Sequence, residues 1–530
     1  MIRNIFLTTL ATVTLLASSS HLQADDLSPS RPNILFAIAD DASWKHFGAY
    51  GATWIDTPHF DQLASNGLLF TKAYTPNAKC GPSRTALLTG RNSWQLEELA
   101  NHWVDYPVGK YQTYHETLDK NGYHVGYTGK GWSPGDPGTL PNGKKRALLA
   151  KTYNQAKLNP PAEYISNIDY TENFRNFLAD RQAGQPFCFW YGSNEPHRAY
   201  EYGAGIKYGN KQLSDIPKVP EFWPDTEEVR TDMLDYAYEI EWFDKHLGNM
   251  IEILRETGEL DNTLIIVTSD NGMPFPRVKG QEYEYSNHMP FAIMWPNGIT
   301  RPGRIIDDYV SFIDVAPTIL ELAQVDGEAE GMAPITGKSL TSLLYSDRSG
   351  RIDPARNYAL IGKERHDIGR PNDTGYPIRG IFKDDFLLLQ NFKTERWPAG
   401  HPQTGYMNID KSPTKTAVLE ARYQPDQRLY WQWNVGKRPE LEFYDVANDE
   451  ACIHNLANSP VYQERIKEMH ALMLAELEKQ NDPRLAGKGD SFDQYEFGRD
   501  GMINFFNKLM NGTQEDMGWY NPADVQPEED

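Results

Sequence analysis

Asn33-Ile34-Leu35-Phe36-Ala37-Ile38-Ala39-Asp40-Asp41 is an apolar run closed by two carboxylates. A half-exposed strand alternates apolar and polar residues, because successive side chains point to opposite faces. This run does not alternate, so it predicts a strand covered on both faces, as in a parallel sheet. The same texture returns at Phe187–Tyr191, Thr263–Ser269 and Phe291–Trp295, and Tyr123–Thr128 reads as a further strand. Helical stretches lie between them. Thr57-Pro58 opens one that stops at Gly67, Thr113–Lys120 is a second ended by Asn121-Gly122, and Asp225–Thr257 is a long third. The third carries Met233, Tyr236, Ile240, Phe243, Leu247, Ile251 and Leu254 at helical spacing. Strands alternating with helices make the fold class α/β.

Sites in open α/β sheets gather beyond the carboxyl ends of the strands. Four such places carry chemistry here. The first strand ends in Asp40-Asp41, and Thr263–Ser269 ends in Asp270-Asn271-Gly272. Three carboxylates and an amide oxygen are hard donors that suit Ca²⁺ better than Zn²⁺. Lys130 follows a strand in Thr128-Gly129-Lys130-Gly131-Trp132, and His197 follows another in Asn194-Glu195-Pro196-His197-Arg198. Histidine titrates near neutrality and suits proton transfer to a leaving group.

The segment Cys80-Gly81-Pro82-Ser83-Arg84, followed by Leu88-Thr89-Gly90, completes the pattern. Pro82 suits a first helical turn, which predicts Cys80 just before a helix N-terminus, where the dipole favours an anion. The segment resembles the signature of the formylglycine-dependent (type I) sulfatases. That resemblance implies an alkaline-phosphatase-like sulfatase fold: a large, mostly parallel mixed sheet flanked by helices, with a smaller C-terminal domain of antiparallel sheet and helix. It implies conversion of Cys80 to formylglycine by a maturation enzyme, and hydrolysis of a sulfate ester or sulfamate. A hydrated aldehyde is a useful nucleophile because its second hydroxyl can expel sulfate, splitting one hard step into two. The resemblance places one Ca²⁺ ion on Asp40, Asp41, Cys80, Asp270 and Asn271, and assigns Arg84, Lys130, His197 and Lys279 to catalysis. Many members read Gly-Lys-x-His, and here the last place is Trp132. His102, His115, His124 and His288 are substitutes by residue type alone.

Resemblance runs from about Arg31 to Leu456. Pro196-His197-Arg198 and Ser269–Pro276 are similar to the branch that holds heparan N-sulfatases (N-sulfoglucosamine sulfohydrolase) and bacterial ulvan-active polysaccharide sulfatases. Ulvan-type polysaccharide or its oligosaccharides is the favoured substrate, with heparan-type sulfamate as the alternative. Substrate contacts are expected from Glu195, Arg198, Arg365, His366, Arg379 and His401, since arginine pairs with uronate carboxylates bidentately. Trp397 and Tyr406 are either sugar-stacking or core residues.

Length and composition set the remaining bounds. The 530 residues carry a net charge of −21, which opposes a nucleic-acid partner and requires a local cationic pocket for an anionic substrate. Residues 1–24 read as a signal peptide: Arg3, an apolar Ile5–Ala17, and Leu22-Gln23-Ala24 as cleavage site. An exported protein, periplasmic or secreted, without a stable membrane anchor is the expectation. The catalytic domain is expected over 25–345 and a C-terminal subdomain over 346–530, contributing pocket loops. A tail from about Asp482 reads as polar and irregular. Only three cysteines occur, Cys80, Cys188 and Cys452, so no disulfide framework is indicated. Two rivals remain: a two-zinc phosphatase or phosphodiesterase of related architecture, and an inactive carbohydrate-binding homologue.

Overall fold

In the computed structural model, β1 runs Asn33–Ala39 with all seven residues buried. Its side chains divide between two cores. Leu35, Ala37 and Ala39 join one hydrophobic cluster, and Ile34, Phe36 and Ile38 join the other. Each fully buried Leu, Ile or Phe contributes about 1.5–3 kcal/mol, so the unbroken apolar run is what a two-sided sheet needs at its centre. The structure describes Met1 and residues 31–132, 134–513 and 520–528. The expected signal peptide therefore falls outside the described residues, Met1 apart.

The other strands are β2 (Leu68–Phe70), β3 (Ala73–Tyr74), β4 (His124–Gly129), β5 (Lys151–Thr152), β6 (Phe187–Gly192), β7 (Thr263–Ser269), β8 (Phe291–Met294), β9 (Arg304–Ile306), β10 (Val310–Ser311), β11 (Ala359–Lys363), β12 (Ile378–Lys383), β13 (Phe386–Asn391) and β14 (Leu441–Asp445). Eight form one sheet in the order β5-β4-β6-β1-β7-β8-β2-β9. β1 pairs in parallel with β6 and with β7, while β8 runs antiparallel to both its neighbours. The sheet is thus mixed and mostly parallel, and its parallel centre aims the ends of β4, β6, β1 and β7 the same way. The long helix Glu227–Glu256 covers one face, capped by Thr226 through its side chain. Helix Cys80–Thr89 lies on the other, with every residue buried.

A second, antiparallel sheet runs β11-β12-β13-β14 and packs against helix Gln463–Lys479 through Ile466, Met469, Met473 and Leu477. The tail differs from the irregular polar segment expected from Asp482 onward. Phe492, Phe497, Met502 and Phe505 are buried, and Phe505–Met510 is a short helix. The polarity of the tail hid four apolar anchors spaced too irregularly to show a period. Among the described residues, no helix is long and apolar enough to cross a membrane.

Candidate active site

Cys80 is the first residue of helix Cys80–Thr89 itself, with Lys79 as its cap, one position further in than expected. Pro82 consequently occupies the third helical position, still within the turn where a missing N–H costs nothing. The motif residues explain how this helix is fixed. Ser83 Oγ donates to the Asp270 carbonyl at 2.6 Å, and Arg84 Nε pairs with Asp270 Oδ2 at 2.7 Å. Arg84 also donates to the carbonyls of Lys130 and Gly131 and approaches Asp40 Oδ1 at 3.5 Å. One buried guanidinium therefore binds the helix to the ends of β7, β4 and β1.

The ligand atoms of Asp40, Asp41, Cys80 and Asp270 all lie within 4.8 Å of one another. Cys80 Sγ is 3.6 Å from Asp40 Oδ1 and 3.8 Å from Asp41 Oδ1. Asp41 adopts a left-handed backbone, φ 77°, tolerated by an aspartate at a functional turn. Asn271 Nδ2 donates to Asp41 Oδ1 at 2.7 Å, while its Oδ1 is buried with no hydrogen-bond partner. Three carboxylates around an orphaned amide oxygen fit a hard divalent cation such as Ca²⁺. Burial, with Asp270, Asp40 and Asp41 nearby, pushes the Cys80 thiol far up despite the opposing Lys130. The unmodified side chain is thus a neutral thiol, a poor nucleophile.

Cations close the cluster. Lys130 Nζ bonds both oxygens of Asp40, at 2.7 and 2.6 Å. Burial alone would raise the Asp40 carboxyl, but Lys130, His197 and Arg84 outweigh it and hold the group down at about 2. Lys279 Nζ bridges Asp41 Oδ2 at 2.7 Å and Asp410 Oδ2 at 2.9 Å. His197 directs Nε2 toward Asp41, 3.9 Å away, with Nδ1 fixed on the Arg198 carbonyl at 2.7 Å. Asp41, His197 and Asp410 form a second group of possible ligands. An open cleft of about 470 Å³ passes over Cys80, with Lys79, Lys130, Lys279, His197 and Asp410 in its walls.

The structure brings together Asp40, Asp41, Cys80, Arg84, Lys130, His197, Asp270, Asn271 and Lys279. It corrects most of the expected substrate contacts. Glu195 is buried and accepts from Ser166 N, the Tyr170 hydroxyl and Ser193 Oγ, so it shapes its own loop. Arg198 lines the cleft, yet its guanidinium grips both oxygens of Asp232 at 2.7 and 2.8 Å. Arg365 reaches the Glu496 carbonyl, and His366 lies between Asn77 Oδ1 and the Gly280 carbonyl. Arg379 sits on β12, not on a loop, sealed between Asp482 and Glu364. His401 caps Pro402–Thr404 and faces Glu528. Arg198 and Arg379 are recruited by buried acids, a partnership that residue type alone does not reveal. Trp397 and Tyr406 belong to a small core with Trp431.

Of the histidines proposed to replace the one missing at Trp132, three lie elsewhere. His115 is fully buried beside Trp190, His124 pairs with the Phe177 carbonyl, and His288 pairs with Glu284. His102 does line the cleft. Trp132 braces the motif helix, its indole N–H donating to Thr85 Oγ1 at 2.6 Å. Sequence reasoning missed Lys79, Asp367 and Asp410. Lys79 was adjacent to the motif, but Asp367 and Asp410 come from loops without a recurrent pattern.

The family model described as Sulfatase matches residues 32–325. Human N-sulphoglucosamine sulphohydrolase is 27% identical over 474 residues, covering 83% of this chain and 89% of that protein. An ulvan-active sulfatase of Formosa agariphila is 27% identical over 471 residues, covering 87% and 83%. Among solved structures, a complex with its substrate D-glucosamine-2-N,6-O-disulfate superposes with TM-score 0.60 at 20% identity, covering 85% of this chain and 98% of that one. A complex with a neocarrahexaose superposes with TM-score 0.58 at 18% identity, covering 91% and 98%. These two likenesses concern the fold.

Proposed function

The chain belongs to the Sulfatase family and is a sulfuric ester hydrolase, and from that premise we propose that it acts on a sulfated polysaccharide or its oligosaccharides, ulvan-type first, through formylglycine at position 80 and one Ca²⁺ ion. The observation that carries this reading is the convergence of Cys80, three carboxylates and two lysines at one cleft. An oxygen-rich donor set around a cysteine at the nucleophile position also disfavours the two-zinc phosphatase alternative.

Asp40, Asp41, Asp270 and Asn271 would hold the cation, which when bound polarises the sulfate as a Lewis acid. Formylglycine, when formed, supplies the oxygen nucleophile. Lys130 and Lys279 hold the sulfate oxygens and offset the charge that grows on them. His197, its Nδ1 held on the Arg198 carbonyl, presents Nε2 as the proton donor to the leaving oxygen. Arg84 keeps Asp40 and Asp270 in place by charge and hydrogen bond. Maturation by a cysteine-oxidising enzyme and export to the periplasm or medium belong to the same reading. The loops bearing Asp367 and Asp410 accord with a C-terminal part, residues 346–530, that completes the pocket of a catalytic part over 25–345.

Sulfate release by protein co-produced with the maturation enzyme tests it, with size-defined ulvan oligosaccharides beside N-sulfated glucosamine. Release from ulvan alone supports the proposal. Release from the sulfamate alone replaces the substrate and keeps the reaction class. Affinity without turnover, at full aldehyde content, favours the inactive binding protein. Chelation provides a second check. Removing Ca²⁺ is expected to lower sulfate release roughly a thousandfold, the worth of several kcal/mol of Lewis-acid stabilisation, with recovery on Ca²⁺ and not on Zn²⁺. Full activity after exhaustive chelation would dismiss the metal assignment.

A further inference from the structure

His102 is held on one side and left open on the other. Its backbone N–H donates to the Arg365 carbonyl at 3.0 Å, and its ring Nδ1 pairs with Asp367 Oδ1 at 3.0 Å. Asp367 also takes Lys79 Nζ on Oδ2 at 2.6 Å. Lys79 precedes the nucleophile position, so this anchor ties the imidazole to the backbone of residue 80. The ring also lies against the next residue: its Cδ2 is 3.4 Å from where a Cβ on Gly81 would stand. His102 and Cys80 line the same cleft. The ring Nε2 is buried and has no hydrogen-bond partner among the described residues. An unsatisfied buried polar atom costs about 1–3 kcal/mol, and in a cleft wall it marks a partner supplied by the reaction. Trp132 cannot serve as that partner's base, because indole carries a donor only and spends it on Thr85.

We propose that His102 Nε2 takes the proton from the oxygen nucleophile carried at position 80, with Asp367 holding Nδ1–H, in the role that Trp132 cannot fill. The role rests on the sulfatase reading above. In the transfer the O–H bond breaks and its electron pair stays on oxygen. The Nε2 lone pair forms the new N–H bond, and the charge gained by the ring faces Asp367. His102 is thereby a catalytic base and Asp367 its positioning residue.

Two measurements on the full chain decide it. The first is independent of turnover: nitrogen NMR of histidine-labelled protein, with the His102 signals identified by their loss in His102→Asn. The expected result is the tautomer protonated at Nδ1, becoming a mixture in Asp367→Asn. A wild-type ring protonated at Nε2 would overturn the proposal. The second uses matured His102→Asn, whose amide keeps a donor for Asp367 and thereby the fold. Quenched during turnover, its residue-80 peptide is expected to carry no added SO₃ mass, because the base acts before the oxygen–sulfur bond forms. Its kcat should fall on the order of 10²–10³-fold with little change in KM. Unchanged kcat beside an active wild type overturns the role alone, as does an SO₃ adduct that accumulates on residue 80. A fully matured wild type that releases no sulfate overturns the activity reading, and this role with it.

Discussion

Cys80→Ala is expected to abolish sulfate release, a loss on the order of 10⁴-fold or more, as removal of a covalent nucleophile would produce. The fold survives the change. Cys80 is 1% exposed, but its thiol makes only long contacts with Asp40 and Asp41, and alanine suits the first turn of a helix. The variant should therefore unfold at nearly the wild-type urea midpoint and still bind sulfated sugar through Lys130 and Lys279. Cys80→Ser should also fail to turn over, because a serine oxygen lacks the second hydroxyl that expels sulfate. Ion chromatography of released sulfate, beside an unfolding curve for each variant, provides the check. Sustained release by folded Cys80→Ala would remove residue 80 from the chemistry.

Arg379→Ala is expected to do the reverse, costing stability on the order of 3–5 kcal/mol while leaving KM alone, because breaking a buried ion pair strands its partner charge. Arg379 is 1% exposed as a side chain and pairs with Asp482 at 2.6 Å and Glu364 at 2.8 Å. Arg484 still compensates Glu364 in the variant, whereas Asp482 loses its guanidinium. Since Asp482 opens the tail, the loss should appear as a lower urea midpoint accompanied by earlier proteolysis after residue 482. A variant with a raised KM and an unmoved midpoint would restore Arg379 to the substrate pocket.

This contrast shows what was legible in the chain. Asp40-Asp41, Asp270-Asn271, Lys130 and His197 follow apolar strands, and a parallel sheet sends all such ends to one side. Periodicity therefore located them without any knowledge of contacts. Ser83 and Arg84 could be read because a motif fixes their distance from Cys80. Arg379 could not, since a buried ion pair is written in two distant segments and neither shows the other, and Arg365 and His366 are likewise held by polar groups of distant segments. Asp410 was invisible for the same reason: its meaning lies in Lys279, which sits on another loop.

The position of β1 has a consequence for how the protein is made. Among the described residues it is the first strand to be synthesised, yet its neighbours are β6, ending at Gly192, and β7, ending at Ser269. Until residue 269 has emerged, the most apolar stretch of the sheet has an empty edge and is prone to aggregate, so nascent chains need shielding over that interval. Helix Cys80–Thr89 cannot dock earlier either, because Ser83 and Arg84 anchor on Asp270. The same delay that exposes the chain to misassembly leaves residue 80 outside its buried place until Asp270 has been made.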